Sequence, residues 1–120
     1  MQSIEQNTEQ KMALEPTPKW VLSVRGLSQH IGPACYRFMS QDGESKTVVL
    51  SKRKRQVIDT LLQTELYCAS TVRIGDIVFR LKEDEGLFAE TRTLSNGRKY
   101  YTLAGKVQFV GPTTNHEVAA

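Results

Sequence analysis

The tightest constraint on this chain lies between residues 89 and 103. Ala-Glu-Thr-Arg-Thr-Leu, then Ser-Asn-Gly-Arg, then Lys-Tyr-Tyr-Thr-Leu places two β-prone runs around Asn96-Gly97. Asn and Gly tolerate the positive φ that a two-residue type I′ turn demands, so the segment predicts a hairpin with Ser95 opposite Arg98. That register sets Leu94, Tyr101 and Leu103 on one face and Thr91, Thr93, Tyr100 and Thr102 on the other. Just upstream, Ile74, Ile77, Val78 and Leu81 recur at helical spacing, an apolar stripe about 100° wide. The spacing predicts a helix over 71–85, capped by Ser70 or Thr71 and stopped by Gly86.

A second helical period begins at Ser51, a fitting N-cap, with Val57, Ile58, Leu61 and Leu62 as its buried stripe. Lys52, Arg53 and Arg55 fall off that stripe in the first turn. Cations there oppose the helix dipole by a few tenths of a kcal/mol each, and a local misfit of this kind points to function. Between the two helices only Thr64 to Ser70 is available for a further short one. Either Thr-Glu-Leu-Tyr-Cys-Ala-Ser forms one turn, or the later helix begins early and breaks near Gly75.

Upstream, Ala-Cys-Tyr-Arg-Phe-Met and Lys-Thr-Val-Val-Leu flank Gln-Asp-Gly-Glu, a second hairpin signal. Trp20, Val21, Leu22 and Val24 suggest a short extended segment, and Val107, Phe109 and Val110 a last strand. Residues 1–18 and 111–120, polar and Pro-containing, read as disordered tails. The expected organisation is a β-hairpin-containing extension over 19–50 and a core over 51–110.

At 120 residues, 39% of them apolar, the chain suits one soluble domain. No apolar run approaches the ~18 residues of a membrane span, and the polar N-terminus lacks a signal-peptide core. A cytoplasmic location is expected. Cys35 and Cys68 stand 33 residues apart with no second pair or histidine at zinc spacing, so two free thiols are expected. His30 and His116 stand alone, phosphate-loop patterns are absent, and the carboxylates of Glu83, Asp84 and Glu85 are contiguous rather than opposed. These features predict neither an enzyme nor a metal or cofactor site.

The net charge of +3 hides a polarised distribution. Lys52 to Arg55 form an unbroken basic run and Glu83 to Glu85 an acidic one. Were the two on opposite sides, one face would attract polyanions.

The order from Ser51 is basic-headed helix, connector, amphipathic helix with arginines outward, and hairpin with a basic tip. Arg-Lys-Arg-Gln-Val-Ile-Asp-Thr-Leu-Leu, Ser-Thr-Val-Arg-Ile-Gly-Asp-Ile-Val-Phe-Arg-Leu-Lys-Glu-Asp-Glu-Gly and Glu-Thr-Arg-Thr-Leu-Ser-Asn-Gly-Arg-Lys-Tyr-Tyr-Thr-Leu fill those places. This resembles the small winged helix-turn-helix proteins of bacteria and their prophages, and it covers somewhat under half of the chain. The resemblance implies an α+β fold: a winged helix-turn-helix core with an extra N-terminal β-hairpin. It implies a transcriptional regulator that binds double-stranded DNA, as a homodimer, with no small-molecule ligand in evidence.

On that reading the helix over 71–85 enters the major groove and the hairpin over 89–103 is the wing. Arg73 and Arg80 would touch bases or phosphates, and Lys52, Arg53, Arg55, Arg98 and Lys99 phosphates. Ser70, Thr71 and Asn96 would add hydrogen bonds to phosphate. The acidic run must then sit away from the duplex, since facing it would overturn the reading. Two alternatives remain: a winged-helix protein–protein interaction module without DNA contact, and a single-strand or RNA-binding accessory protein. A continuous patch formed by Arg53, Arg73, Arg80 and Arg98 would separate the DNA reading from the interaction module.

Overall fold

The computed structural model describes residues 15–40, 42–69, 72–103 and 106–113. A 3₁₀ turn (Val24–Gly26) precedes strands β1 (Ala34–Met39) and β2 (Ser45–Leu50), helix α1 (Lys52–Gln63) and a two-residue strand β3 (Leu66–Tyr67). Helix α2 (Ile74–Arg80) continues into a wider π-type turn (Leu81–Glu85), followed by β4 (Ala89–Thr93), β5 (Lys99–Leu103) and β6 (Val107–Pro112). The fold is α+β, with antiparallel sheets ordered β2-β1-β6 and β3-β5-β4. No helix forms over the described residues between Thr64 and Arg73; β3 stands there instead. α2 begins at Ile74, with Arg73 at its N-cap and no side-chain cap bond, instead of at 71 behind Ser70 or Thr71; those two residues lie outside the described ones, as do positions 1–14 and 114–120 of the expected tails.

Both hairpins form where the sequence predicts them, but with a different turn in the second. Leu94 N–H donates to Arg98 O at 2.8 Å, and Gly97 N–H donates to Leu94 O at 2.9 Å. The loop therefore has three residues, Ser95-Asn96-Gly97, and Thr93 pairs with Lys99. A type I′ turn needs positive φ at two successive residues, whereas here only Gly97 has it, at +89°. One extra loop residue shifts the register by one and reassigns the faces. Leu94, Arg92 and Tyr100 now share the outer face, while Tyr101 turns inward with Thr91 and Leu103. The first hairpin uses the same device: Gly43, φ +86°, donates to Ser40 O at 3.0 Å, and Ser40 N–H donates to Glu44 O at 2.8 Å.

Glu15 to Trp20 are laid along the β3-β5-β4 sheet rather than left as tail. Lys19 N–H donates to Glu65 O at 2.9 Å, Tyr67 N–H donates to Lys19 O at 3.1 Å, and Pro18 is buried. Trp20 stacks on Tyr67 with ring centroids 4.2 Å apart. With the chain crossing here, Leu94 and Tyr100 are buried although they face away from the main core.

One core unites the chain. Val21, Tyr36, Phe38 and Leu50 share a buried cluster with Val57, Ile58, Leu61, Leu66, Ile74, Leu81 and Leu87. The 34–50 hairpin is thus part of the same packing unit, and β6, which continues to Pro112, pairs with β1 and not with the β3-β5-β4 sheet. On α2 the expected stripe holds, with Ile74 and Leu81 buried and Ile77 and Val78 half-buried. On α1 it does not. Leu62 is exposed at its rim, whereas Arg55, Gln56 and Thr60 are buried together with Val57, Ile58 and Leu61.

Nothing lies within 4 Å of where a Cβ on Gly97 would sit, so any cost of adding one comes from the backbone. Gly97→Ala is expected to lower stability by about 1–2 kcal/mol, read from urea unfolding midpoints.

Candidate nucleic-acid interface

The first turn of α1 and the outer side of α2 enclose a groove of about 620 Å³ lined by Ser51 to Lys54, Val72, Arg73, Asp76, Ile77 and Arg80. Four of the ten residues singled out from sequence meet here: Lys52, Arg53, Arg73 and Arg80. They converge because α2 packs its Ile74, Ile77, Val78 and Leu81 side toward the core. That leaves Arg73 and Arg80 turned outward beside the head of α1.

The cations of the groove are weakly neutralised. Arg73, largely exposed, has Asp76 at 3.7 Å, a surface pair worth well under about 1 kcal/mol. Lys52, Arg53 and Arg80 form no ion pair among the described residues. Lys54 is different: its ammonium reaches Glu85 at 2.8 Å and Asp84 at 3.0 Å. Burial pulls the Lys54 pKa down, but hydrogen bonds and attraction from Glu85 and Asp84 outweigh it and hold the ammonium above its ordinary value. The acidic run is therefore not opposite the basic one. It adjoins the Lys54 end of the groove without lining it, and confines the unneutralised charge to the other four cations.

The head of α1 is also open to an anion. Ser51 makes no side-chain cap, contrary to the sequence reading, and no acidic residue occupies the first turn. Lys52 adopts φ +53°, a left-handed conformation that costs a non-glycine residue about 1 kcal/mol or more. Its N–H is drawn to Ile31 O at 2.7 Å. Orphan helix N–H groups, a dipole end and four cations thus face one groove.

Arg55 does not belong to this surface. Its Nε donates to Asp59 at 3.2 Å and its Nη1 to Gly32 O at 2.8 Å, and the guanidinium carbon lies 5.6 Å from the Phe109 ring centre. Tyr36 donates to the other Asp59 oxygen. Burial, and then the Asp59 carboxylate, push the Tyr36 phenol above its ordinary range. Arg55 and Asp59 also line a second cavity of about 620 Å³ with His30, Leu62 and Phe109, where the two charges cancel.

Asn96, Arg98 and Lys99 of the β4–β5 hairpin sit apart from the groove lining. Asn96 Oδ1 accepts from Arg98 N–H at 2.9 Å, which shapes the turn, and Lys99 is exposed at its base. The Arg98 guanidinium carbon lies 5.3 Å from the Trp20 ring centre. The groove also holds Lys54 and Asp76, which the sequence offers as part of a basic run and as a surface partner of Arg73 but not as site residues. Their signal was the unbroken Lys-Arg-Lys-Arg run and the i, i+3 spacing of Asp76 from Arg73.

Cys35 and Cys68 are free thiols, and burial raises the Cys68 pKa. Among the described residues, no three His, Cys, Asp or Glu side chains gather to hold a metal, and no helix is long and apolar enough to cross a membrane. Compared with known proteins, the chain matches no family model, no curated protein and no solved structure.

Two substitutions separate groove from scaffold. Arg55→Ala strands Asp59 and is expected to cost about 3 kcal/mol, while Arg53→Ala stays within about 0.5 kcal/mol of the parent, both by urea unfolding. Lys52→Gly releases the left-handed backbone and is expected to raise stability by about 1 kcal/mol in the same assay.

Proposed function

We propose that this chain is a winged-helix-type DNA-binding protein, of the kind found among bacterial and phage transcriptional regulators, that binds duplex DNA through the α1–α2 groove. The observation that carries this reading is the meeting of Lys52, Arg53, Arg73 and Arg80, from two helices, with a single carboxylate among the groove residues that face them. Binding neutralises cations that now crowd the positive end of a helix, so the phosphate backbone gains from every one of them. α2, with the hairpin directly after it, serves as the recognition element, and Arg73 and Arg80 are its readers. The β4–β5 hairpin is the wing, with Arg98 and Lys99 toward flanking phosphates.

The protein acts in the cytoplasm, without catalysis, cofactor or small-molecule ligand, and as a homodimer. Exposed Met39 of β1 and Val110 of β6 are apolar surface on the β2-β1-β6 sheet that supports self-association. The competing interaction-module reading draws support from Phe79, 61% exposed on α2 beside Arg80.

Fluorescence anisotropy with a random duplex decides between them. Four phosphate contacts predict about a hundredfold loss of affinity between 50 and 200 mM salt. Arg53→Ala is expected to weaken binding and to lower the salt slope by about one, and Arg80→Ala to weaken binding. No binding at 50 mM salt rejects the DNA reading in favour of a protein partner.

A further inference from the structure

We propose that the turn of the β4–β5 hairpin is an oxyanion site built from the backbone N–H and hydroxyl of Ser95, that its ligand is a DNA phosphate, and that Glu15 occupies it in the free protein. This rests on the duplex-binding reading, and it adds a contact and a competitor which that reading does not contain.

The geometry is that of a bound anion. Ser95 N–H donates to Glu15 Oε1 at 2.9 Å, and Ser95 Oγ lies 3.1 Å from Oε1 and 3.0 Å from Oε2. The two residues are 80 positions apart, so the contact is a docking and not a local turn bond. Main-chain N–H and hydroxyl donors of this kind are those that hold phosphate oxygens at protein–DNA surfaces. Gly97 and the Asn96 Oδ1 bond to Arg98 N–H hold the turn in shape, which leaves the Ser95 donors facing outward.

Glu15 reaches the turn because the chain behind it is anchored. Lys19 bonds into β3, and Trp20 lies against both Tyr67 and the Arg98 guanidinium. The strap thus brings a carboxylate to the wing's donors and an aromatic ring to its arginine. A phosphate approaching the wing must displace the Glu15 carboxylate, and the strap itself stays in place through its backbone bonds. Glu15 therefore lowers affinity for every duplex alike and leaves sequence preference to the groove.

The test compares the full chain with Glu15→Ala, Ser95→Pro, the double variant and Arg80→Ala, by anisotropy on a random duplex at 50 mM salt. Proline removes both Ser95 donors while suiting the first central position of the turn. Glu15→Ala is expected to bind about two- to tenfold more tightly, the worth of one or two net hydrogen bonds. Ser95→Pro is expected to abolish that gain in the double variant. If Arg80→Ala weakens binding but Glu15→Ala leaves it unchanged, or gains as much with Ser95→Pro as without it, the oxyanion site is rejected while the DNA reading stands. If the parent does not bind duplex at all, the DNA reading fails first. Inorganic phosphate titrated into Glu15→Ala then tests the site alone. A saturable shift of the Ser95 amide resonance that Arg80→Ala does not abolish supports it, and no shift overturns it.

Discussion

The whole structure depends on how α1 is fastened along its polar side. Arg55, Gln56 and Thr60 are buried, a poor choice for a helix that only had to cover a sheet. Each is bonded to the chain just before β1. Arg55 donates to Gly32 O and Gln56 to Ser28 O, while Thr60 Oγ1 accepts from Ser28 N–H. Asp59 holds Arg55 on one oxygen and Tyr36 of β1 on the other. No buried side-chain nitrogen or oxygen is left without a partner among the described residues, which is the condition under which a polar core makes a unique structure instead of a weak one. The same fastening fixes the head of the helix. With residues 28–32 held by these bonds, Ile31 O is placed to take the Lys52 N–H, and Lys52 adopts its left-handed turn into α1.

Much of this was legible in the sequence, and the misses share a cause. The apolar positions of α2 and the alternation of β1 were readable because each element has one buried side and one solvent side. α1 has no such division. Arg55 to Ile58 are four consecutive buried residues, so helical periodicity alone could not separate Arg53, which faces the groove, from Arg55, which faces Asp59. The β4–β5 hairpin was located by Asn96-Gly97, but the same dipeptide serves a two-residue and a three-residue loop. Choosing between them depends on φ at Asn96, a single backbone angle that hydrophobic pattern does not encode. The outcome exchanged Tyr100 and Tyr101 between faces. The strap from Glu15 to Trp20 was invisible because its bonds to β3 are main-chain bonds, and Glu15 and Ser95 are far apart in sequence.

Charge follows the same division between what a list of residues shows and what a fold does with it. A net +3 carries little meaning when Lys54 is gripped by Asp84 and Glu85 and Arg55 is buried against Asp59. Of the contiguous basic run, only Lys52 and Arg53 remain unpaired, and α2 supplies the other two cations of the groove. The acidic turn after α2 shapes this field as much as the cations do. Following Arg80 directly and gripping Lys54, it leaves the unpaired positive charge of the α1 head on Lys52 and Arg53.

Strain and charge at the head of α1 run in the same direction. A capping carboxylate there would satisfy the open N–H groups and favour the dipole, while a glycine at position 52 would relax the backbone. The chain has neither, and places a cation at the strained position instead. Each choice lowers the stability of the free protein and raises the gain from an anion in the groove. A helix head under selection for stability alone has no reason to combine them. On the proposed duplex-binding reading the head meets a phosphate, and the bound state then recovers what the free state forgoes.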